Sequence, residues 1–139
     1  MTELRAARVL VAGAGAGDAL VLDEPLSLWG GLDPATGRIV DARHPQRGES
    51  VDGRVLVLSC GRGSSSSSSI LLEAVRLGTA PAAIVLLETD AILALGAAVA
   101  REMYGRCPAV LTLDALDHCR LQTGQRVEID ADGVVRVGA

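Results

Sequence analysis

The stretch VLVLSCGRGSSSSSSILLEAVRLG, Val55 to Gly78, decides how this chain folds. Val55 to Ser59 form a near-continuous apolar run, the pattern of a parallel strand covered on both faces. Ile70 to Leu77 carry a helical stripe of Leu71, Ala74, Val75 and Leu77, with Gly78 as its stop and Pro81 just beyond. Between them stand six consecutive serines, Ser64 to Ser69. A serine homopolymer ordinarily marks flexible low-complexity chain, but this one joins a buried strand to its crossover helix with no residues to spare for slack. The first serines must therefore fill the turn and the helix N-terminus, where serine is a favoured cap. Unpaired backbone N–H groups and the helix dipole favour a negative charge there. Open α/β sheets bind ligands beyond the carboxyl ends of their strands, and this loop lies at such an end. Glu88 and Asp90, at the end of the next strand, are expected along the same edge.

Further along the chain the pattern repeats. AIVLL (Ala83 to Leu87) reads as a second strand, and Thr89 or Asp90 caps a helix whose expected inner face is Ile92, Leu95, Gly96, Val99 and Met103. Gly105 and Pro108 end that helix, and AVLTL (Ala109 to Leu113) supplies a third strand. The result is an α/β fold, a β-α-β-α-β parallel core with right-handed crossovers. Its flanks are short strands: ARVLVAG and DALVLD on one side, and VEIDADGVVRV, with its Asp-Gly turn, as a C-terminal hairpin. GAGAG (Gly13 to Gly17) begins like a dinucleotide fingerprint, but Asp18 takes the third glycine's place and a strand follows where a helix is needed. It reads as a tight strand-to-strand turn. Pro25 to Ser50, rich in Gly, Pro and polar turn residues, is long for a loop in a compact domain; such loops are usually functional or poorly ordered, and a functional role is the reading favoured here.

Composition excludes several function classes. A chain of 139 residues fits one domain, residues 1–139. With no Phe, one Trp and one Tyr, base stacking has no platform, and a net charge of -4 argues against a phosphate backbone as partner. No nucleic acid is expected. No apolar run approaches the roughly 18 residues of a membrane span, and the N-terminus lacks a secretory signal, so no membrane contact is expected and the chain reads as cytoplasmic. Cys60, Cys107 and Cys119 are odd in number and lack CxxC spacing, which fits reduced thiols better than disulfides or a metal knuckle. Every basic residue is Arg, so no Lys exists for a Schiff base or a P-loop.

Three chemistries suit a serine at this loop. A serine hydrolase needs a His base oriented by a carboxylate; only His44 and His118 exist, neither in a companion motif, and GRGSS is not a GxSxG elbow. Phosphate binding by the Gly-Ser loop, aided by Arg62, is the second. The third is a serine hydroxyl made acidic enough by the helix end and Arg62 to act as a general base. The residues alone do not rank them. His44, beside Pro45, reads as a turn residue with local hydrogen bonds. Trp29 reads equally as a docking residue on an exposed surface or as a plug in a Leu/Val/Ala core.

Taken together, PLSLWGGLDPATGRIVD, HPQRGES, VLVLSCGRGSSS, ILLEAVRLGTAPAAIVL and LGAAVAREMYGRCPAV, in this order from about Gly17 to Val110, resemble the small subunit, or swivel domain, of the aconitase X family. The resemblance implies a swivelling β/β/α domain. It implies that the serine after Gly-x-Gly, here Ser64, takes the proton from the carbon next to the substrate carboxylate. Arg62, Gly63, Ser65 and Ser66 are then the implied substrate-binding residues. Where aconitases place an Arg to clamp a carboxylate, this chain has Ser66, so Arg62 or the partner must provide the positive charge. The implied partner is a separate aconitase X large subunit bearing an iron-sulfur cluster; this chain itself is expected to bind no cofactor and no metal. The GRGSSS loop is similar to that of bacterial members associated with cis-3-hydroxy-L-proline dehydration, whereas Lys and Thr are more typical of the mevalonate 5-phosphate branch. Two further alternatives are a phosphohistidine carrier, whose swivel domain has a similar layout, and a binding module without catalysis.

Overall fold

The structure is a computed structural model that describes residues 1–62 and 65–138. In chain order its elements are β1 (Thr2–Arg5), β2 (Arg8–Val11), β3 (Gly15–Val21), a short turn α1 (Leu28–Gly31), β4 (Leu32–Asp33), β5 (Arg38–Ile39), β6 (Val55–Leu58), α2 (Ser67–Leu77), β7 (Ala83–Leu86), α3 (Ala91–Tyr104), β8 (Ala109–Thr112), α4 (Ala115–His118), β9 (Arg126–Ile129) and β10 (Val134–Val137). The expected core is present: β6, β7 and β8 pair in parallel, with α2 and α3 as the crossovers. The expected C-terminal hairpin is present as β9 and β10.

Among the described residues, eight strands form one sheet in the order β1-β10-β9-β3-β6-β7-β8-β2. β3 belongs to two halves of it. Residues Gly15 to Asp18 pair antiparallel with β9, and Ala19 to Val21 pair in parallel with β6. At the opposite ends of the order stand β1 and β2, although only Ala6 and Ala7 separate them in the chain. Ala6 donates its N–H to Gly133 O and Ala7 donates to Thr112 O, each at 2.8 Å, so this one stretch bonds both margins. The sheet must therefore curl until its two halves face each other.

Alternation along the strands sorts side chains between two cores. Val55, Val57, Ala83, Val85, Ala109 and Leu111 point between the sheet halves, where Leu4, Val127, Ile129 and Val135 meet them. Leu56, Leu58, Ile84, Leu86 and Val110 point the other way, onto Leu71 of α2 and Leu93 and Ala97 of α3. The layers are β/β/α, as the resemblance implied. Strands covered on both faces explain why their sequences show apolar runs rather than apolar-polar alternation.

Three details differ from expectation. GAGAG is not a tight turn, because β2 and β3 are not neighbours. It crosses the amino ends of the parallel strands: Gly13 passes Ala109, Gly15 passes Ala82, and Gly17 passes Gly53. A Cβ on Gly15 would lie 2.6 Å from Ala82 O, and one on Gly17 would collide with Gly53 O. The inner face of α3 is Leu93, Gly96, Ala97 and Ala100, while Leu95 and Met103 are 58% and 59% exposed. Leu77, placed on the α2 stripe, is exposed as well. The long segment Pro25 to Ser50 is ordered. It buries Leu26, Leu28, Leu32 and Ile39 in the helix-side core, pairs β4 with β5, and is tied to the end of α2 where Thr79 Oγ donates to Pro34 O at 2.6 Å.

Candidate active site

Three segments meet at the carboxyl end of β6. Ser59 O accepts N–H bonds from Leu87 at 3.1 Å and Glu88 at 2.9 Å, which keeps β6 and β7 together past their last ladder residues. Next, Gly61 forms a parallel bridge with Leu26, and Arg62 donates its N–H to Leu26 O at 3.1 Å. On its other side Gly61 donates its own N–H to Asp90 Oδ2 at 3.0 Å. The same carboxylate caps α3, its Oδ1 accepting from Ile92 N at 3.0 Å and Leu93 N at 3.1 Å. Asp90, not Thr89, is thus the cap, and it faces the serine loop as expected of that edge. Glu88 is exposed.

The serines divide their tasks. Ser65 and Ser66 form a turn, with Ser66 at the N-cap position of α2. Ser67 is buried in the first helical turn and accepts Trp29 N–H at 3.3 Å, and Ser68 Oγ donates to Ser65 O at 2.9 Å. The stop is as read: Gly78 takes the left-handed conformation at φ 78° and donates its N–H back into the last turn. Arg62 and Ser65 are exposed at this edge. Gly63 and Ser64, the latter the expected proton acceptor, lie outside the described residues. A small cavity of about 60 Å³ opens here, lined by Leu26, Gly61, Arg62, Ser67, Asp90, Ile92 and Leu93. That is far below the roughly 300 Å³ at which small-molecule pockets begin. A substrate would need a second wall.

Trp29 is 57% exposed, which rules out the plug reading; Gly30, at φ 79°, turns the chain just after it. His44 is buried and structural. Its Nδ1 accepts Gln46 N–H at 3.1 Å, which leaves the proton on Nε2 to bond Glu24 O at 3.1 Å. With both ring nitrogens engaged, His44 suits neither a triad nor phosphate transfer. His118 Nε2 lies 3.0 Å from Leu58 O.

The thiols do not make a cluster site. Cys60 follows β6 at the carboxyl edge, whereas Cys107 lies before β8 at the opposite edge, beside Pro81 and Val75. Among the described residues no group of three His, Cys, Asp or Glu side chains could hold a metal. The described residues therefore do not fit an iron-sulfur cluster. No helix among them is long and apolar enough to cross a membrane.

Sequence reading missed the double use of Asp90 and the contacts of Leu26 and Trp29 with the loop. A carboxylate between strand and helix signals a cap, but its second oxygen depends on a residue 29 positions away. Leu26 gives no signal, since the bond uses its backbone.

Comparison with known proteins adds identity to this geometry. The model of the aconitase X swivel domain matches residues 5–137. Over 99 residues, 71% of this chain, it is 50% identical to a cis-3-hydroxy-L-proline dehydratase of Pseudomonas aeruginosa, but it spans only 17% of that protein's length. It is 40% identical over 125 residues to the phosphomevalonate dehydratase small subunit of Methanothermobacter thermautotrophicus, covering 90% of this chain and 92% of that one. The crystal structure of Thermococcus kodakaraensis aconitase X in its holo-form superposes with a TM-score of 0.87 at 34% identity, over 100% of both chains. A curled β/β/α sheet, a serine loop at its carboxyl edge and a match along nearly the whole sequence agree: the chain belongs to the aconitase X swivel-domain family.

Proposed function

We propose that this chain is the small subunit of an aconitase X-type dehydratase, and that it supplies the base that starts loss of water from cis-3-hydroxy-L-proline. One observation carries the reading: residues Gly61 and Arg62 are clasped between Leu26 O and the Asp90 carboxylate, two positions before Ser64 and just ahead of the α2 N-terminus. The segment so held leads into the N-terminus of α2, whose free amides and dipole favour an anion. Ser64 Oγ, as alkoxide, takes the proton from the carbon next to the carboxylate while the bond from the neighbouring carbon to its hydroxyl breaks. The resulting double bond tautomerises to the imine Δ1-pyrroline-2-carboxylate. Arg62, Gly63, Ser65 and Ser66 bind the substrate. Because the cavity here is small and the described residues offer no ligand set for a metal, a large subunit, with its iron-sulfur cluster, supplies the other wall. The 50% identity to the hydroxyproline enzyme supports the substrate.

A second reading, small subunit of a mevalonate 5-phosphate dehydratase, is supported by the 40% identity that runs over 92% of such a subunit. Co-expression with the large subunit, followed by assay of both substrates, separates the two. Ser64→Ala in that complex is expected to lower kcat by about 10²–10⁴-fold, the range of general-base catalysis. Undiminished turnover by the variant would remove the serine from the mechanism.

A further inference from the structure

We infer that Asp90 is a positioning residue for the serine loop, holding Gly61 and so the segment that leads to Ser64. This rests on the reading of that loop as the proton-accepting segment. An N-cap carboxylate needs one oxygen for its helix, and Asp90 Oδ1 serves both Ile92 N–H and Leu93 N–H. Oδ2 turns away from α3 and accepts from Gly61 N–H at 3.0 Å. The fit is reciprocal, because a Cβ on Gly61 would collide with that same oxygen. Only a residue without a side chain lets the loop backbone come so close, and only a carboxylate offers separate oxygens to helix and loop. Leu26 O fixes the other flank through Arg62 N–H at 3.1 Å. The loop is thus clasped on both sides at the last described residues before Ser64. Small displacements of a reacting group are costly: about 1 Å lowers rate by about 10²-fold.

Asp90→Ser tests this, since serine caps a helix as well as aspartate does but is too short to reach Gly61. The full chain is followed by amide hydrogen exchange, and the complex with its large subunit by kcat and KM for cis-3-hydroxy-L-proline. Expected are exchange at Gly61 faster by tenfold or more with Ile92 and Leu93 unchanged, and kcat lower by tenfold or more with KM held within twofold. Gly61→Ala is expected to lower kcat similarly, and the double variant to match either single one rather than their product. Unchanged exchange at Gly61 overturns the inference, as does equal loss of protection at Ile92 and Leu93, which would mark Asp90 as a cap alone. Parental kcat in Asp90→Ser alongside an inactive Ser64→Ala rejects positioning while the base assignment stands. An active Ser64→Ala instead defeats the base, and Gly61 exchange still decides whether Asp90 holds the loop.

Discussion

Asp130 shows how one carboxylate can hold a turn. Its Oδ1 accepts N–H bonds from Asp132 at 2.9 Å and Val134 at 3.2 Å, and Arg136 Nη1 lies 3.3 Å from Oδ2. The Val134 N–H, with help from Asp132 and Arg136, holds its carboxyl below the usual carboxylate range. A depressed value means that the charged form is the one the fold favours. The stabilisation is therefore full above the ordinary value of about 3.9 and is lost as pH falls through the lower folded value. Asp130→Asn is expected to melt below the parent at neutral pH, with the two curves converging in acid; a constant gap in Tm would show that charge is irrelevant. Much at this level was readable in advance. DADG announced the hairpin, and His44 beside Pro45 announced a local role. Asp90 was readable by half, since capping is local while its bond to Gly61 is not.

Helix α3 shows where pattern reading loses its grip. AILALGAAVA is apolar nearly all round, so periodicity finds the helix but not its inner face. Packing decides. Gly96 lets α3 approach α2 so closely that an added Cβ would lie 2.8 Å from Ser68 O, and this contact turns Leu93 inward and Leu95 outward. Leu93→Ala is expected to cost about 2–5 kcal/mol in urea unfolding, and Leu95→Ala no more than about 0.5 kcal/mol. Comparable losses at the two positions would contradict this orientation.

The molecule as a whole depends on closure of its sheet, and GAGAG seals the amino end of the parallel strands. Gly17→Ala, which would drive a Cβ into Gly53 O, is expected to destabilise by about 3 kcal/mol. Gly13→Ala meets only ordinary contacts near 3.6 Å and should be close to neutral by the same thermal melts. At the opposite end Trp29 stands exposed with its backbone on Ser67, beside the serine loop. If the large subunit covers this edge, Trp29→Ala leaves the Tm of the free chain unchanged and weakens assembly by about 2 kcal/mol, roughly 30-fold in Kd. Titration of the two subunits reads this directly, and unaltered affinity would place the interface elsewhere.

Apolar runs, caps, glycine stops and the Asp-Gly turn act over a few residues, so the primary structure was enough to specify the strands β6, β7 and β8, their crossover helices and the position of the serine loop. Curling of the sheet, the strand Thr2–Arg5, the inner face of α3 and the clasp on Gly61 all join groups far apart along the chain. Those features depend on which surfaces meet once the layers pack, and packing is a property of three-dimensional shape that no short window of residues carries.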